Sequence, residues 1–190
     1  MKIVFLGGSK FSQYYLNALL GAFDEVFAFT NLPSIAELQA INPDIGIIAY
    51  FGFIVPEEML SIPKKGFINV HYSLLPRWRG AAPVQHAILA GDTEIGVTIL
   101  KVAKMVDAGA ILAQKSIPIL PDDTYLSLEK KLIFLGSQML LSILPQYLAG
   151  AIEVKTQNED AATYAKKIKK EDWLIEWSDS PEFIKRMVRA

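Results

Sequence analysis

The segment Phe67-Ile68-Asn69-Val70-His71-Tyr72-Ser73 places an amide and an imidazole two residues apart. As a strand it sends Asn69 and His71 to one face and Ile68 and Val70 to the other, so two polar side chains meet near its C-terminal end. In open α/β sheets that end is where ligands bind. The pattern alone leaves a plainer reading open, a hydrogen-bonded core histidine beside an asparagine that satisfies loop backbone. The continuation has little packing purpose. Leu74-Leu75-Pro76-Arg77-Trp78-Arg79-Gly80 is a rigid turn and then two guanidiniums flanking an indole, groups that contact phosphates or stack on bases. Its alternative is a solvated loop with Trp78 covering the sheet. Farther on, Asp107-Ala108-Gly109 sets an acid before a flexible turn, either facing the same crevice or serving as a turn aspartate.

Composition removes other chemistries. The chain has no cysteine, which excludes thiolate catalysis and zinc–sulfur sites. Gly7-Gly8-Ser9 follows an apolar run and invites a phosphate, but the spacing is not G-x-G-x-x-G and no Gly-Lys-Ser/Thr follows, so a tight strand-to-helix turn is the preferred reading. His86 falls among apolar neighbours and reads as a helix-surface histidine. With 19 Lys+Arg against 20 Asp+Glu the net charge is −1, so a polyanion must be held by a local patch, and no DNA partner is expected. The N-terminal apolar run is too short for a signal peptide, and no segment reaches the roughly 18 apolar residues that span a bilayer. The expected location is the cytoplasm, without membrane contact.

The elements that must position these groups follow from periodicity. Short β-branched and aromatic runs, Ile3 to Leu6, Val26 to Thr30, Ile45 to Tyr50, Phe67 to His71 and Val97 to Leu100, alternate with helical spacing, which reads as an α/β domain. The first three are unbroken, as expected of strands covered on both faces of an open twisted sheet. Phe11 to Leu20 aligns Tyr14, Tyr15, Ala18 and Leu19 on one helical stripe, and Pro33 to Ile41 suits a short helix. Ala82 to Ala90 predicts a helix closed by Gly91, and Asp122 or Asp123 is positioned to cap a long one from Thr124 to Leu148 that Pro145 should kink or end. Lys166, Lys167, Lys169 and Lys170 form a basic run, and Ser180-Pro181-Glu182 starts a last helix. The 190 residues, 52% hydrophobic and 21% charged, fit one compact domain without a staple.

Asn69-Val70-His71, the stretch Ser73 to Pro83, Gly96-Val97-Thr98 and Asp107-Ala108-Gly109, in that order, closely resemble the catalytic domain of the methionyl-tRNA formyltransferases, within the wider family of 10-formyltetrahydrofolate-dependent formyltransferases. The extension Arg77-Trp78-Arg79-Gly80-Ala81-Ala82-Pro83 and the tail Tyr164-Ala165-Lys166-Lys167-Ile168 favour the tRNA branch. The resemblance implies the formyltransferase fold, a Rossmann-like open, mostly parallel twisted sheet with helices on both faces. It implies a catalytic domain over residues 1–178, with residues 179–190 a terminal helix that begins a linker. It implies formyl transfer from 10-formyltetrahydrofolate to the α-amine of methionyl-tRNA, a step of translation initiation, with Asn69, His71 and Asp107 catalytic and no metal. Asn69 and a protonated His71 would donate to the developing oxyanion while Asp107 holds the imidazole. The folate slot would lie between Phe51, Phe53, Ile54 and Val55 and the loop holding Ala103 and Met105, with Ser73, Leu74, Leu75 and Pro76 at its entrance. Arg77 and Arg79 would meet the acceptor.

Two departures bear on the acceptor. Members of the tRNA branch carry a basic loop and further helix and strand between the second and third strand runs, where only Asn31 to Asp44 intervenes here. They also continue past this tail into a C-terminal β-barrel that grips tRNA, a domain expected to be absent from this chain. A weakly held tRNA is therefore expected, with an amino sugar nucleotide or another small amine as the alternative acceptor, and an idle folate- or partner-binding domain as the reading that the intact trio opposes.

Overall fold

The computed structural model describes residues 1–190. In chain order the elements are β1 (Lys2–Leu6), α1 (Ser12–Leu20), β2 (Glu25–Phe29), α2 (Ile35–Ile41), β3 (Ile45–Ile48), α3 (Glu57–Leu60), β4 (Phe67–His71), β5 (Arg79–Gly80), α4 (Pro83–Ala90), β6 (Glu94–Lys101), β7 (Ile111–Pro118), α5 (Tyr125–Leu148), β8 (Tyr164–Ala165) and α6 (Pro181–Arg189). Six strands form one sheet in the order β2-β1-β3-β4-β6-β7. The β1, β2, β3 and β4 pairings are parallel, whereas β6 and β7 join antiparallel. This is the mostly parallel, open sheet expected, with β4 at its centre. A small parallel pair, β5 with β8, stands apart.

Alternation divides the core between the two faces. Ile3, Phe5, Ile45, Ile47, Ile68 and Val70 pack with Tyr15 and Leu19 of α1 and with Leu128, Leu132 and Leu140 of α5. Val4, Leu6 and Phe67 pack on the other face with Leu38 of α2 and Met59 of α3. At roughly 1.5–3 kcal/mol for each fully buried large apolar side chain, the first cluster dominates stability. No helix is long and apolar enough to cross a membrane.

Several expectations require correction. β2 is the outer edge of the sheet rather than a strand covered on both faces, with Glu25, Phe27 and Ala28 exposed. Tyr14 leaves the predicted stripe and is 62% exposed, and Ser12 takes the inner position with Tyr15 and Leu19. Thr124, not either aspartate, caps α5, in a reciprocal arrangement with Ser127, while Asp123 accepts from the Leu120 amide, Ser127 and Lys131. Pro145 does not end α5; it sits in the last turns, where the N–H it lacks costs one bond. The fourth helix closes at Gly91 as expected, in the left-handed conformation at φ 77°.

Candidate active site

β4 is bracketed by β3, which pairs with Phe67–Asn69, and by β6, which pairs with Ile68–His71, so its side chains are fixed by alternation. Ile68, Val70 and Tyr72 enter the main core, while Phe67, Asn69 and His71 share the opposite face. β6 runs antiparallel, so its end at Lys101 lies beside Ile68, at the start of β4. The loop after it turns back along the face that carries Asn69 and His71. That reversal is tight: the Lys101 amide bonds the Ala110 carbonyl, and a Cβ on Gly109 would stand 1.8 Å from the Lys101 carbonyl oxygen.

The loop delivers Asp107, left-handed at φ 52°, into the centre of a converging set. Its Oδ1 accepts from the Asn69 amide nitrogen at 3.2 Å. Its Oδ2 accepts from the Gly80 backbone N–H at 2.9 Å and lies 3.5 Å from Nδ1 of His71. The side chains of His71 and Asp107 are 6% and 8% exposed. Nε2 of His71 lies 2.9 Å from the carbonyl oxygen of Trp78. The ring thus has the Trp78 carbonyl at Nε2 and the Asp107 carboxylate beside Nδ1. Asn69 keeps its second amide hydrogen for a ligand. The expected trio is brought together, around one carboxylate in a nearly dry pocket.

Contacts not anticipated from sequence complete it. Trp78 is left-handed at φ 63°, its N–H donates to Thr163 Oγ1 at 2.9 Å, and its carbonyl is thereby aimed at His71. The side-chain amide of Gln157 donates to the carbonyls of both Asp107 and Gly109 at 2.7 Å, fixing the loop's strained corner. These partners come from the far end of the chain, where no local spacing marks them.

The two arginines part company. Arg77 is half exposed, stacks on Trp78 with its guanidinium carbon 4.3 Å from the ring centroid, and bonds Asp92 through Nε and Nη2 at 2.9 and 2.7 Å. Asp92 also accepts from the Trp78 indole at 2.7 Å. A shallow cavity of about 340 Å³ opens beside this group, lined by Leu74, Arg77, Trp78, Asp92 and Glu94 among others. Arg79 is not available to an acceptor. It is 1% exposed, with its fork spent on Gln157 at 2.8 and 3.1 Å and on Glu159 at 2.7 and 2.8 Å. A charged residue in a surface-like motif has become an internal strut.

The expected folate-slot residues separate by exposure. Phe53, Ile54 and Met105 are large apolar side chains left 52%, 81% and 59% exposed. Nothing stands within 4 Å of a Cβ at Gly52. Ala103 is exposed too, and a Lys104–Glu57 ion pair at 3.0 Å joins its loop to α3. Phe51 packs on Phe53 and the smaller core. Val55, Ser73 and Leu75 are buried, so they can offer a ligand only backbone or a hidden surface, while Leu74 turns to Gly96 and Pro76 is half-buried. Thr98 and Gln114 hold the Ser73–Leu75 turn: Thr98 donates to Ser73 O at 2.6 Å and Gln114 to Leu75 O at 2.9 Å. The Gly7-Gly8-Ser9 turn is self-satisfied. Gly7 and Gly8 donate to Phe29 and Tyr50 carbonyls, and Ser9 Oγ takes the Phe11 and Ser12 amides, leaving no cradle for phosphate.

Comparisons with known proteins bear on the family and the fold. A family profile described as formyl transferase matches residues 30–144. A methionyl-tRNA formyltransferase of Methylococcus capsulatus is 43% identical over 153 residues, which cover 80% of this chain and 50% of that protein. One from Ehrlichia canis is 38% identical over 228 aligned positions, covering 100% of this chain and 74% of the relative. The chain spans about half the length of several curated relatives it matches. Among solved structures, the formyltransferase PseJ from Anoxybacillus kamchatkensis, in complex with UDP-4,6-dideoxy-4-formamido-L-AltNAc and tetrahydrofolate, superposes with a TM-score of 0.79 at 25% identity, covering 100% of this chain and 98% of that one.

Proposed function

The chain belongs to the formyl transferase family, and on that premise we propose that it transfers a formyl group from 10-formyltetrahydrofolate to the α-amine of methionyl-tRNA in the cytoplasm. The observation that carries the reading is the convergence of Asn69, His71 and the Gly80 amide on the single carboxylate of Asp107. Acyl transfer to an amine needs donors where negative charge develops on the formyl oxygen, and a group that takes the amine's proton. Asn69 supplies its free N–H. His71 turns its Nε2–H from the Trp78 carbonyl to the same oxygen, and Asp107 keeps the ring oriented through Nδ1. The neutral amine attacks the formyl carbon, the carbon–N10 bond breaks as the tetrahedral adduct collapses, and the proton lost by the amine ends on N10 through Asp107 and water. The exposed side chains of Phe53, Ile54 and Met105 suit the flat, apolar pterin of the donor. Arg77 faces the acceptor, together with the exposed lysines from Lys166 to Lys170.

A second acceptor class is favoured by one observation. The Ehrlichia canis alignment spans 228 positions against 190 residues here, so at least 38 positions lack a counterpart in this chain. A chain shorter by that many positions than a tRNA-branch relative suits a small amine such as an amino sugar nucleotide. Incubation with 10-formyltetrahydrofolate and, separately, methionyl-tRNA, aminoacyl analogues and amino sugar nucleotides decides between them. Tetrahydrofolate release with methionyl-tRNA alone supports the first reading; release only with sugars overturns it, and release with none overturns both.

A further inference from the structure

Helix α5 buries a carboxyl group that formyl transfer does not use. Glu129 is 2% exposed, and the polar groups facing it are the hydroxyls of Tyr50 and Tyr125. Its Oε1 accepts from the Tyr50 hydroxyl, and its Oε2 is buried without a partner. Burial pushes its pKa upward against the two tyrosine contacts. A carboxyl with no cation in such a place destabilises a fold relative to leucine. The one hydrogen bond it makes leads to a residue under conformational strain.

Tyr50 follows β3 and adopts φ 53°, the left-handed region disfavoured for a residue with a Cβ. Three contacts hold it there. Its carbonyl accepts the Gly8 amide at 3.1 Å, its ring lies between Phe11 and Tyr72 at centroid distances of 5.5 and 4.8 Å, and its hydroxyl reaches Glu129. Tyr72 is the residue after His71 and donates its own hydroxyl to Tyr15 at 2.9 Å. Gly136 of α5 makes room for this tie, since a Cβ there would stand 2.2 Å from the Tyr15 hydroxyl. The chain leaves Tyr50 directly into Phe51–Val55.

We propose that Glu129 and Tyr50 are positioning residues, a latch between helix α5 and the end of β3 that holds Tyr50 in its left-handed turn and so fixes Phe51–Val55 as one wall of the donor slot. The latch rests on the folate reading only for the identity of what that wall meets. Removing the hydroxyl or the carboxyl frees the turn, and the wall moves. Converting the carboxyl to an amide does not, because the amide oxygen accepts the same bond.

The test uses the full chain with three readouts: melting temperature, hydrogen exchange at the Gly8 amide, and the dissociation constant for 5-formyltetrahydrofolate, a donor analogue that does not transfer its formyl group. Tyr50→Phe and Glu129→Leu should each speed Gly8 exchange and weaken folate binding by about tenfold, the worth of one good hydrogen bond. Glu129→Gln should match the parent chain in both. Combining Tyr50→Phe with Glu129→Leu should recover melting temperature over Tyr50→Phe alone, by removing the stranded carboxyl, without recovering folate affinity. Variants that melt lower yet exchange and bind like the parent overturn the latch and leave the pair as core packing. If Tyr50→Phe does not fold, the contrast between Gln and Leu at position 129 carries the same decision. A parent chain that binds no folate refutes the donor-slot reading, while Gly8 exchange still decides the latch.

Discussion

The guanidinium of Arg79 and the side-chain amide of Gln157 form a closed relay: Nε and Nη2 of the arginine both donate to Oε1 of the glutamine, whose nitrogen donates to the carbonyls of Asp107 and Gly109. A fully buried cation thereby orients an amide, and the amide orients the loop bearing the site's carboxylate. Gln157→Leu should lower stability by about 1–3 kcal/mol, because two carbonyls and a guanidinium edge lose their partner. Thermal melts should drop by several degrees, and kcat should fall while the folate KM holds. A variant with parental kcat would show that Asp107 keeps its place unaided.

Asn69→Ala should reduce kcat by about 10²–10³ if its free amide hydrogen serves the oxyanion. Folate binding, measured by fluorescence titration, should change little, because the proposed donor slot is lined by other residues. Single-turnover rates within a few-fold of the parent would remove Asn69 from the chemistry.

Arg77→Ala should raise the acceptor KM severalfold without moving the folate KM. Stability should change by less than about 1 kcal/mol, since Arg77 is half exposed and Asp92 keeps the Trp78 indole. Steady-state assays varying each substrate in turn check this. An unchanged acceptor KM would confine Arg77 to bracing Trp78.

Glu129 makes stability depend on pH in a defined direction. Burial raises its folded pKa above the usual 4.5, so folding takes up a proton between those values and stability falls as pH rises through that window. Asp123 acts oppositely: burial, which would raise it, is outweighed by Lys131, Ser127 and the Leu120 amide, so its contribution is present above the usual 3.8 and fades as pH falls below it. Glu129→Gln should flatten the decline above pH 4.5 in urea melts run across a pH series. An equal slope in both chains would mean that Glu129 ionises alike folded and unfolded.

Sequence reading succeeded where a local rule settles the answer. Alternation alone placed Asn69 and His71 on one face, and β4 has the limits Phe67–His71 that its residues suggested. It failed where the deciding partner is distant. Arg79 reads as a solvent-facing charge because Gln157 and Glu159, 78 and 80 residues away, have no spacing that links them to it. β2 reads as a buried strand because an unbroken apolar run looks alike whether or not a further layer covers it; its place at the sheet's edge is a property of the topology. The return of the Asp107 loop depends on the close approach of Gly109 to Lys101, which a turn aspartate and a glycine permit but do not demand. The trio's assembly was legible chiefly through its resemblance to a family, while its supports were not.

The pairing of β5 with β8 has a consequence for biosynthesis. Trp78 is tied to Thr163 across 85 residues, and the Asp107 loop is fastened by Gln157, so the pocket draws on both the middle and the last quarter of the sequence. The parallel strands from β1 to β4 leave the ribosome well before those fasteners, at about 5–20 residues per second. A nascent chain still holding residues 157–165 in the exit tunnel can have its sheet in place and its histidine on the correct face, yet lack the ties that close the pocket. The ties that close the pocket therefore form only once residues 157–165 have emerged and docked against Trp78 and the Asp107 loop.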